Sequence, residues 1–143
     1  MFISAGYLIL APDEVKTMPN LTITILSGGT TNGSIVSGEV ETGLDDYPDQ
    51  TNIEVMSDVN WKVTASVVVV SNPVGTGNPS PNAIEVGNND NPGEFNAGGG
   101  LVQTGSAGTV TFDVDFRLNL STINDAPSGN YSYTITYTLE ENI

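Results

Sequence analysis

The chain has 143 residues, enough for one domain with a hydrophobic core. Its 17 acidic residues stand against three basic ones, Lys16, Lys62 and Arg117, for a net charge of -14. Three scattered cations cannot form a basic groove or patch, which excludes nucleic acid as a partner and disfavours an anionic membrane surface. Cysteine and histidine are absent. Their absence removes thiol catalysis, Ser-His and Cys-His dyads, disulfides and the usual zinc sites. Gly, Pro, Asn, Thr and Ser are abundant, so strands and turns are favoured over helices. The composition is that of a secreted β protein.

Residues 1–11 (MFISAGYLILA) are strongly apolar. The stretch is too short to cross a bilayer, and no transmembrane segment is expected. It has the length of a signal-peptide core, but no basic residue precedes it and an Ala-x-Ala site is missing. On a strand, Ile3, Ala5, Tyr7 and Ile9 would share one face, with Phe2, Leu8 and Leu10 on the other. Both faces are partly apolar, so such a strand belongs inside a sheet. Two placements stay open: a first strand of the chain's own sandwich, or a strand given to a neighbouring subunit. In the second case Phe2, Ile3, Ala5, Tyr7, Leu8, Ile9 and Leu10 are the strand-exchange residues. Residues 12–20, with Pro12 and Pro19, form a connector.

Residues 21–143 then read as one β-sandwich domain. Leu21, Ile23 and Ile25 alternate with Thr22 and Thr24. A turn over 27–33 precedes a strand over 34–41, interrupted by Gly38. Residues 43–50 (GLDDYPDQ) read as an acidic loop and 51–56 as a short strand. Residues 60–71 form the longest β run, with Trp61, Val63, Ala65, Val67 and Val69 on one face. Its second half is apolar on both faces, which predicts a central strand. Residues 72–100 are a Gly/Asn/Pro-rich surface excursion, with a small strand over 83–86. Residues 101–104 lead into two long alternating strands over 108–140, read as a hairpin with a turn-rich link. Val110, Phe112, Val114, Phe116 and Leu118 share the dry face of the first, and Tyr131, Tyr133, Ile135, Tyr137 and Leu139 that of the second. A sheet with one dry face needs a second layer. The predicted fold is therefore all-β: a two-sheet antiparallel β-sandwich, Ig-like or pilin-like, of about eight or nine strands.

Few residues suggest chemistry, and no catalytic set is expected. Asp113 and Asp115 point the same way, as paired carboxylates of glycoside hydrolases do. With Arg117 next in the row, a solvated charged face is the preferred reading. Asp45, Asp46 and Asp49 form one acidic cluster, and residues 88–94 another. If a metal binds, it is calcium at Asn88, Asp90 and Glu94, although a plain solvated loop is preferred because neither cluster has EF-hand spacing. The parity of Trp61 places it in the core, its indole N–H on a buried acceptor, in preference to a sugar-stacking surface. The tyrosine stripe reads as core packing for the same reason. A Lys–Asn crosslink at Lys62 is disfavoured, since Lys62 lies on the face opposite Trp61. Asn20, Asn32, Asn119 and Asn130 begin Asn-x-Ser/Thr sequons and are the candidate glycosylation sites.

Two stretches carry a resemblance. MSDVNWKVTASV resembles the strand that enters on Asn-Trp and then alternates Val, Thr and Ala in secreted β-sandwich domains of bacterial and archaeal surface proteins. FRLNLSTINDAPSGNYSYTITYTL resembles their ending, where a Pro-x-Gly-x-Tyr turn opens a Thr-rich last strand. The resemblance, to Ig-like or fimbrial-type domains, implies a fold and carries over no catalytic residue. Together with the apolar first segment it leads to the expected function: a non-enzymatic subunit of an extracellular filament or pilus-like assembly. Its partner would be further copies of the same chain, as a homopolymer joined by strand exchange. The alternatives are an adhesin module that binds host or cell-surface glycans through residues 72–100, and a virion decoration or fibre protein.

Overall fold

In the computed structural model, the described residues are 19–28, 44–71, 80–88, 95–119 and 132–143. They form β1 (Leu21–Ser27), β2 (Leu44–Ser57), β3 (Trp61–Ser71), a 3-10 turn (Pro81–Ala83), β4 (Ile84–Gly87), β5 (Asn96–Ala97), β6 (Gly99–Gly105), β7 (Gly108–Asn119) and β8 (Ser132–Glu141). A five-stranded sheet has the order β1-β2-β7-β4-β5, and a three-stranded sheet the order β6-β3-β8. All of these pairs are antiparallel. The protein is a two-sheet antiparallel β-sandwich.

Alternation explains which face each strand buries. Ile53 and Val55 of β2, Trp61 and Val63 of β3, and Val114 of β7 are fully buried. Trp61 stacks on Phe112 of the opposite sheet, with ring centroids 6.0 Å apart and planes at 18°. Its indole Nε1 donates to the Ser106 carbonyl at 2.9 Å, so the one polar atom of the ring is satisfied. Gly105 lies opposite Trp61 in the β3–β6 ladder, and a Cβ there would run into the indole ring.

Four expectations are corrected. First, the predicted acidic loop over 43–50 is instead the first half of β2, which runs from Leu44. Leu44–Tyr47 pair with Phe116–Asn119 of β7, and the register shift falls between Tyr47 and Thr51. Pro48 cannot donate to a ladder, so the irregularity sits around it. Second, the two long strands over 108–140 are not a hairpin. β7 pairs with β2 and β4 whereas β8 pairs with β3, so they belong to opposite sheets. Each has one apolar row, and facing each other across the core buries both rows. Third, β3 is central to its sheet as predicted, but its outer face is not covered: Val68 is 56% and Val70 is 62% exposed. Fourth, the excursion over 72–100 holds more sheet than the small strand expected over 83–86: β4 bears that strand out, and β5 pairs beside it. The predicted strands over 1–11 and 34–41 lie outside the described residues.

The two flanks of the sandwich differ. On one, β4 lies against β6. The turn between β5 and β6 stitches the layers: Val67 N–H donates to the Gly98 carbonyl at 3.0 Å, and Gly98 N–H to the Ile84 carbonyl at 2.9 Å. On the other flank β1 lies against β8. Among the described residues no strand pairs with the outer edge of either.

Candidate functional site

The β1/β8 flank is the place where an apolar interior meets the surface. In β1, Leu21 and Ile23 pack against the core as half-buried residues. Ile25, next in the same row, is 43% exposed although it is paired directly with fully buried Ile53. Leu26 is exposed beside it. On β8 the inward row Tyr133, Ile135, Tyr137 and Leu139 also stays half-buried, whereas Val63, Ala65 and Val67 of neighbouring β3 are buried. Among the described residues, an edge strand of ten residues thus combines an unpaired outer ladder with an incompletely covered apolar row. Free edges of this kind are templates for pairing with another chain.

Two buried hydroxyls, those of Thr51 and Tyr137, lie inside this flank. The Thr51 hydroxyl donates to the Gly28 carbonyl at 3.1 Å. Gly28 has φ 77°, and a Cβ there would collide with the Gln50 carbonyl, so the bend that ends β1 requires glycine. The Tyr137 hydroxyl is shut away from water and has no hydrogen-bond partner among the described residues. Burial pushes its pKa up to about 12. The Thr51 side chain partly opposes that shift, though it stands outside hydrogen-bond geometry with Tyr137. Strand-exchange residues Phe2, Ile3, Ala5, Tyr7, Leu8, Ile9 and Leu10 lie outside the described residues.

The outer face of the five-stranded sheet corrects the reading of Asp113 and Asp115 as a solvated charged row. Asp115 is only 4% exposed. Its Oδ1 accepts the Asp49 N–H at 2.7 Å, and Asp49 has φ 52°, so the carboxylate clamps the irregular turn of β2. Asp113 Oδ1 accepts the Asn52 amide at 2.7 Å. The Arg117 guanidinium lies 3.5 Å from the centroid of the Phe95 ring, a cation–π arrangement. Asn119 donates to Glu85 Oε1 at 3.2 Å. The row is a knitted structural network that holds β2, β7 and β4 in register.

The remaining candidates are scattered. Asn88 is buried and its amide donates to Gln103 Oε1 at 3.3 Å, so it does not sit in a solvated loop as expected. Asp90 and Glu94, the other calcium candidates, lie outside the described residues. Among the sequons, Asn20 is exposed at the entry to β1, with its backbone N–H on Asp58 Oδ1 at 2.9 Å. Asn119 is half-buried in the network above, and Asn32 and Asn130 lie outside the described residues. Lys62 pairs with Glu140 at 3.3 Å on the outer face, far from the buried environment that a Lys–Asn crosslink needs.

Two features escape sequence reasoning. The open flank depends on which strands are neighbours, and no local pattern carries that. The Asp115 clamp had a faint signal: Pro48 interrupts a stretch that otherwise pairs, and a bulge there needs an acceptor for the N–H it frees. No protein-family model matches the chain, and no curated protein matches it.

Proposed function

We propose that the protein is a non-enzymatic structural subunit of an extracellular filament, polymerising by exchange of β-strands between copies. The observation that carries this reading is the incomplete β1/β8 flank, where Ile25 is 43% exposed beside fully buried Ile53. The same chain has an apolar stretch over 1–11 that suits a strand buried on both faces. Eleven extended residues reach about 36 Å, enough to run the length of a sandwich strand. Burying four or five of their large apolar side chains would contribute on the order of 6–15 kcal/mol before ordering costs. Ladder hydrogen bonds would set the register. Exposed Thr22, Thr24, Thr134 and Thr136 give the subunit a polar coat suited to the cell surface.

The test is deletion of residues 1–11, followed by negative-stain electron microscopy and gel migration before and after boiling. The full chain is expected to form filaments whose gel ladder collapses only on heating, and the deletion to give soluble monomers. Filaments of normal length from the deletion overturn the proposal.

A further inference from the structure

Within this strand-exchange reading, on which the inference rests, we infer that the accepting edge is β8 and that the incoming strand is residues 1–11 of a second copy, running antiparallel to it. The edge is chosen by the imbalance of the layers. Among the described residues the larger sheet has five strands and the smaller three, and Ile25 on the edge strand β1 stays 43% exposed. A strand added to β8 would make the smaller sheet four-stranded and would lie over Ile25, the exposed member of the inward β1 row. A strand added outside β1 would leave the half-buried inward row of β8 uncovered.

The direction and the source follow from the end of the sandwich where the described chain starts. The Asp58 N–H donates to the Asn20 carbonyl at 3.3 Å, and the Asn142 N–H to the Asn60 carbonyl at 2.9 Å. The entry to β1 is therefore at the same end as the last residues of β8. If residues 1–11 of the same chain lay on β8, residue 11 would arrive at that end, and the strand would run parallel to β8. Every pair among the described strands is antiparallel. To enter antiparallel, the same chain would have to carry residue 11 to the far end of β8, about 30 Å away. With the step of about 10 Å between layers the path is about 32 Å, which a nine-residue connector spans only when drawn out almost fully. A second copy has no such tether and enters antiparallel.

Cysteine crosslinking tests the edge, direction and source together, because the chain has no cysteine of its own. Full-length Ser4→Cys is mixed with Thr138→Cys, Thr134→Cys or Thr24→Cys and oxidised. The expected result is a reducible species of doubled mass with Thr138→Cys, near the end of β8, and a much weaker one with Thr134→Cys. A preference for Thr134→Cys overturns the antiparallel direction. Doubled mass with Thr24→Cys alone overturns the choice of β8 and leaves strand exchange standing. Crosslinks that form only inside one chain, in Ser4→Cys combined with Thr138→Cys or Thr24→Cys, overturn the inference and the filament reading alike.

Discussion

Ile25 and Ile53 are the same residue type, paired directly across β1 and β2, and both belong to inward rows. Ile53 is fully buried and Ile25 is 43% exposed. What separates them is their place in the sheet. Ile53 sits on β2, inside its sheet, and Ile25 on β1, the edge strand among the described residues. The opposite flank shows how such an edge is closed: the turn at Gly98 reaches both layers, and Ala83 and Val86 beneath it are fully buried. One flank is sealed by its own backbone, and on the other Ile25 keeps 43% of its surface exposed.

Substitutions can sharpen or break this contrast. The largest effect is expected at Trp61, which spans the layers: Trp61→Ala should destabilise by about 3–5 kcal/mol in urea unfolding. A loss below about 1 kcal/mol would contradict its core position. Next is the isoleucine pair itself. Ile53→Ala should cost about 2–5 kcal/mol, and Ile25→Ala less than about 1 kcal/mol in the monomer. Equal losses would mean that the β1 flank is already closed in solution. In assembled material Ile25→Ala should weaken filaments, read as a lower dissociation temperature.

Asp115→Ala removes the acceptor that holds Asp49 on the far side of the larger sheet. It should cost about 1–3 kcal/mol, with Asp115→Asn recovering much of the loss because it keeps an acceptor oxygen. The smallest change at neutral pH is expected from Tyr137→Phe, within about 1 kcal/mol of the parent, since the hydroxyl has no partner to lose. Its signature lies in alkali. An unfolded tyrosine ionises near 10, whereas the folded one holds its proton to about 12. Stability is therefore unaffected by this group below pH 10. It falls as pH rises from 10 toward 12, by roughly 1–3 kcal/mol. Unfolding measured from pH 8 to 11.5 should show that part of the fall in the parent and lose it in Tyr137→Phe.

Much of the fold was legible in the sequence because strand parity is local. The alternation over 60–71 places Trp61, Val63, Ala65 and Val67 inward, and all four are buried. The alternation over 108–119 likewise places Phe112 and Val114 in the core. The same parity rule failed for Asp115. It assigns a side of the sheet and says nothing about what crosses above that side, here the irregular turn of β2 at Asp49. It held for Val68 and Val70, which it places on the outer face and which are 56% and 62% exposed.

The sequence by itself determined the all-β class, the inward rows and the turn-rich junctions, because backbone geometry with a period of two converts residue order into faces. The tertiary structure alone decided that β7 and β8 lie in opposite layers, that the acidic stretch before Thr51 joins β2, and that Ile25 on β1 stays exposed. Those outcomes depend on pairing between segments distant in the chain, where many registers satisfy the same local pattern and only the closing of one shared core selects among them.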